Sequence, residues 1–109
     1  MISFNDIKAQ AKALGFETLR TESDLYLEAV FLKAKISEYS ALLDGIFGEV
    51  AWPSNNPIPE DVKKTIAQYG SVMGGQTLYC MQEVSHVIFA MLWPWGDKVH
   101  ITLKMGEKI

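Results

Sequence analysis

Val87-Ile88-Phe89-Ala90-Met91-Leu92-Trp93-Pro94-Trp95-Gly96-Asp97-Lys98-Val99-His100-Ile101-Thr102-Leu103-Lys104-Met105 is the stretch that decides the fold. Its second half alternates, with Val99, Ile101, Leu103 and Met105 on one side and Lys98, His100, Thr102 and Lys104 on the other. A period of two marks a strand with one buried face. A strand needs a neighbour, and the apolar run before Pro94 supplies one. Pro94-Trp95-Gly96-Asp97 is then the hairpin loop. The reading is a β-meander with strands over 77–82, 86–93 and 98–105. A single helix over 77–92 competes, because Leu78, Met81, Val84, Ile88 and Met91 also suit a helical period. That reading leaves the last strand without its obvious partner.

Pairing Trp93 with Lys98 sets Ala90 opposite Ile101 and Ile88 opposite Leu103. One face of the middle strand then carries Ile88, Ala90 and Leu92. The other carries Val87, Phe89, Met91 and Trp93, so the strand is apolar on both faces. If every helix covers the first face, an aromatic and methionine patch remains on the second. Such patches mark interfaces. The alternative is that one helix, or the loop around Trp52, crosses over and covers it.

Upstream, the chain reads as helical. Ser3 and Asp6 resemble a capping box, and Phe4, Ile7, Ala11 and Leu14 recur at helical spacing up to Gly15. This predicts a helix over 4–14, followed by a short strand or connector from Phe16 to Arg20. Leu25, Ala29, Leu32, Ile36, Tyr39, Leu43 and Ile46 step by four and three, which predicts a long helix over 22–46. The competing reading makes Leu25–Leu32 a strand and starts the helix near Lys35. Trp52-Pro-Ser-Asn-Asn-Pro-Ile-Pro59 is a loop, and Pro59 opens a helix over 59–69. The expected fold is therefore α+β: N-terminal helices packed on a C-terminal antiparallel meander, as one domain over 1–109.

Composition narrows the function. With Lys+Arg 10 against Asp+Glu 13, the net charge is −3. Arg20 is the only arginine. Neither fact suits nucleic-acid binding. The lone cysteine, Cys80, excludes an intrachain disulfide and a multi-cysteine zinc site. No apolar run reaches a membrane span, and the first residues lack the pattern of a secretory signal. A reducing cytoplasm and no membrane partner are expected.

Candidate chemistry is sparse. Gly70-Ser-Val-Met-Gly-Gly-Gln-Thr77 has P-loop spacing, but Gln76 stands where the phosphate-binding lysine belongs. Cys80, Glu83 and His86 invite a nucleophile–base reading without an oxyanion donor. On the proposed pairing Cys80 lies opposite Ile88, and His86 and His100 lie several residues apart. Neither histidine has a carboxylate at ligand spacing, so no metal or cofactor is expected. The scattered carboxylates offer no acid–base pair.

The unusual features are Trp52-Pro53 and Trp93-Pro94-Trp95, since tryptophan contributes strongly to binding at interfaces and in pockets. The expected function is a non-catalytic protein–protein interaction domain of inhibitor, immunity or adaptor type. It is expected to self-associate or bind a protein partner through Val87, Phe89, Met91, Trp93 and Trp95. The alternative is a small-molecule-binding domain with Trp52, Tyr69, Tyr79 and Trp93 lining a pocket between helices and sheet.

Overall fold

The computed structural model describes residues 3–83 and 86–109. Helix α1 (Phe4–Leu14) opens with the expected capping box: Asp6 N donates to Ser3 Oγ, and Asp6 accepts from the Ser3 backbone. It is followed by β1 (Thr18–Ser23), β2 (Tyr26–Leu32), one 3₁₀ turn over Lys33–Lys35, α2 (Ile36–Phe47), α3 (Glu60–Ala67), β3 (Thr77–Glu83), β4 (His86–Pro94) and β5 (His100–Lys108). The sheet is antiparallel throughout, in the order β1-β2-β5-β4-β3. The α+β class and the C-terminal meander are as the sequence predicts. Val84, part of the competing helical stripe, lies outside the described residues.

The long helix over 22–46 needs correction. Its first part is the β1–β2 hairpin, and only Ile36–Phe47 is helical. Leu27, Ala29 and Phe31 point to one face of the sheet, where they are fully buried. Tyr26, Glu28 and Val30 take the other face. A segment covered on both sides satisfies periods of two and 3.6 almost equally well, so hydrophobicity alone does not separate them. What settles the matter is β5. It is the central strand, and without β2 one whole edge of its backbone donors and acceptors would lack partners. Strand β1 carries a bulge between Leu19 and Thr21.

The hairpin register also differs. Trp93 pairs with Thr102, Ala90 with Met105 and Ile88 with Glu107. The last strand therefore begins at His100 rather than 98. The cause is a wider loop. Asp97 Oδ1 accepts from Val99 N at 2.9 Å and from His100 N at 3.1 Å. Lys98 is held at φ 62. Trp95 N donates to His100 O at 2.9 Å, which closes the hairpin. The displacement along β5 is an even number of residues, so each side chain keeps its face.

The sheet is covered on both sides. On face 1, Phe4, Ile7 and Ala11 of α1 and Tyr39 and Leu43 of α2 pack on Leu27, Ala29, Phe31, Ile88, Ala90, Leu92, Ile101, Leu103 and Met105. On face 2, Val62 and Ile66 of α3 pack with Leu78, Val87, Phe89 and Met91, joined by Trp52 and Tyr69. Face 2 is therefore not open. α3 crosses over, because a strand apolar on both sides must be sheltered on both. At the outer edge of β3, Leu78 is paired by backbone bonds to Trp52. No helix among the described residues is long and apolar enough to cross a membrane.

Candidate functional site

Three of the seven large apolar side chains left exposed among the described residues lie at one end of the sheet. Leu32 closes β2 and is 39% exposed, Val99 in the β4–β5 loop is 49% exposed, and Trp95 in the same loop is 39% exposed. Local bonding brings these segments together. Lys33 N donates to Val99 O at 2.8 Å, and Glu17 N donates to Val30 O at 2.9 Å. An open cleft of about 410 Å³ is lined by Leu32, Lys33, Ala34, Lys98 and Val99. A second, of about 200 Å³, shares Leu32 and adds Gly15, Phe16, Glu17 and Lys35.

A charged cluster holds the loop beside the cleft. His100 Nδ1 lies 2.6 Å from Asp97 Oδ2, and Nε2 lies 3.2 Å from Glu17 Oε1. The Asp97 hydrogen bond, reinforced by Glu17, raises the imidazole above its ordinary value. The Val99 backbone N–H, helped by His100, lowers Asp97 to about 2. A carboxylate on each ring nitrogen favours the charged form of the imidazole. It ties the β4–β5 loop to the segment before β1. Its ring packs against Trp95 at 4.8 Å between centroids. Trp95 Nε1 donates to Thr102 Oγ1 at 2.8 Å, which fixes the indole, and Arg20 lies 6.0 Å from its ring.

The sequence-predicted interface divides. Val87, Phe89 and Met91 are buried beneath α3, with Phe89 1% exposed, so they form core and not a free surface. Trp93 is half-buried, with Lys104 Nζ 3.5 Å above its ring. Trp95 alone lies in the loop whose Lys98 and Val99 line the cleft. The predicted pocket residues do not converge. Tyr79 lies on face 1, where its hydroxyl donates to Asp44 Oδ1 at 2.8 Å. Trp52, Tyr69 and Trp93 pack on face 2. Tyr69 stacks on Tyr26 at 4.4 Å, which fills the space a ligand would need.

Other candidates find structural roles. Cys80 pairs with Phe89 rather than Ile88, and burial pushes its thiol up, away from the reactive thiolate. The Glu83 side chain lies outside the described residues. His86 Nε2 is 3.7 Å from Glu107 Oε2, at the opposite end of the sheet from His100. Among the described residues, no group of three or more His, Cys, Asp or Glu is placed to hold a metal ion. In the glycine-rich loop, Gln76 Oε1 accepts from Met73 N at 2.9 Å, which makes a local turn.

Sequence reasoning missed the His100 cluster. Asp97-Lys-Val-His100 carried a usable signal, because an Asp followed by a hairpin strand can cap the turn through its side chain. Glu17 had no such signal, being separated from His100 by 83 positions. Compared with protein-family models, curated proteins and solved structures, the chain matches none, so its reading rests on this geometry.

Proposed function

We propose that this chain is a non-catalytic protein-interaction domain whose contact surface is the sheet end formed by Leu32, Lys33, Ala34, Trp95, Lys98 and Val99. The observation that carries the reading is the exposure of Leu32 at the end of β2 beside Trp95 and Val99 of a loop fixed by the Asp97–His100–Glu17 tie. Exposed apolar side chains cost little to desolvate, and a fixed loop loses little entropy when it docks. Self-association through Val87, Phe89 and Met91 is not part of this proposal, since α3 already occupies that face. A small-molecule site is the weaker reading. Such sites bury most of their ligand, and this cleft is open with few lining residues.

Site-specific photo-cross-linking tests the proposal. A photoreactive residue at Ala34, in the cell that makes the protein, is expected to give a discrete protein adduct. The same residue at exposed Lys63 on α3 is expected to give none. Equal or absent adducts at the two positions would remove the reading.

A further inference from the structure

The cleft carries a charge pattern that points to the chemistry of its partner. Lys33 and Lys98 flank an apolar floor of Leu32, Ala34 and Val99, and both are exposed. Neither has an ion-pair partner among the described residues. Lys35 lines the adjoining cleft, where its Nζ donates to Leu14 O. Glu17 and Asp97 at this end are both turned to His100, and Glu38 follows in the first turn of α2. In a chain of net charge −3, the charged groups that line this cleft are both ammonium groups.

The turn geometry is equally specific. Lys98 is a non-glycine residue at φ 62, a conformation that costs free energy unless its surroundings impose it. Here Asp97 imposes it through its bonds to Val99 and His100, and the result sets Lys98 at the cleft wall.

Resting on the interaction-domain reading, we infer that the cleft docks an acidic peptide segment of a partner protein, with one apolar side chain on Leu32 and Val99 and flanking carboxylates on Lys33 and Lys98. Apolar contact anchors the segment, and charge complementarity selects it. An anionic membrane would use the same lysines. The net negative charge of the chain opposes that docking, because the rest of the surface would be repelled.

The test uses the isotope-labelled full chain and three probes, followed by amide chemical shifts. The first probe is a capped peptide with a central leucine flanked by glutamates. The second carries glutamines in their place, and the third is a vesicle containing phosphatidylserine. The glutamate peptide is expected to shift Leu32, Lys33, Ala34, Lys98 and Val99 saturably, with affinity falling as salt rises. The glutamine peptide, and K33E combined with K98E, are each expected to bind about tenfold more weakly. Equal binding of the two peptides, shifts mapping elsewhere, no shifts at all, or binding of the vesicle alone would overturn the inference. If the Ala34 adduct persists in any of those cases, the interaction surface stands and only the acidic partner falls.

Discussion

The two faces of the sheet solve the same problem differently. Face 1 is covered continuously by α1 and α2, from Tyr79 on β3 to Leu27 on β2. Face 2 has one short helix, α3, which shelters only the β3–β4 side. Where α3 stops, polar contacts replace apolar ones. Tyr26 OH donates to Glu28 Oε1 at 2.8 Å, and Arg20 reaches Glu28 Oε2 at 3.5 Å. Lys104 Nζ lies over Trp93 and donates to Tyr69 O at 2.8 Å, tying the end of α3 to the central strand. Beyond α3, the β2–β5 half of face 2 is thus covered by long amphipathic side chains rather than by a helix. The proposed contact surface lies at one end of that half.

The largest effect would test whether α3 makes face 2 a true core. Phe31→Ala on face 1 and Phe89→Ala on face 2 are each expected to destabilise the protein by ~3–5 kcal/mol in urea unfolding. Both side chains are essentially unexposed. Phe31 stacks on Tyr39 at 4.0 Å, and Phe89 packs on Tyr69 at 5.3 Å. A Phe89→Ala protein of native stability would break the comparison.

A smaller effect is expected where α3 hands the chain back to the sheet. Gly70 sits at φ +102, and a Cβ there would lie 2.3 Å from Trp93 Cη2. Gly70→Ala is therefore expected to cost about 2 kcal/mol, from backbone strain plus displacement of the indole. Combining it with Trp93→Ala should recover the steric part, and purely additive losses would show that the contact is not responsible.

The smallest effect belongs to the His100 tie, which is exposed and so screened. Its folded value is raised above the ordinary 6.5, so its contribution is fully present below that pH. It is lost as pH rises through the folded value. Asp97 acts in the opposite sense: its contribution is present above its ordinary 3.8 and is lost as pH falls through about 2. Amide shifts of Asp97–His100 followed against pH should report both transitions, with amides on the α3 side unmoved. His100→Gln should abolish the upper transition only. A response spread over face 2 would show that its two halves are coupled.

Short-range rules accounted for much of the molecule from sequence alone. Ser3 and Asp6 started α1, Pro59 with Glu60 and Asp61 started α3, and alternation marked β5. The two-sided apolar character of β4 was likewise legible, since it follows from residue type and survives an even register change. Residues 26–32, the pairing of β2 with β5 and the position of α3 were decided only by the tertiary structure. The physical reason is that a segment buried on both faces has no single hydrophobic period, so its backbone state is set by a strand distant in sequence. The candidate site divides along the same line. Trp95 was visible as an aromatic within the hairpin loop. Leu32, Val99, Glu17 and His100 meet only because β2 and β5 are neighbours, and long-range strand pairing leaves no mark in the local sequence.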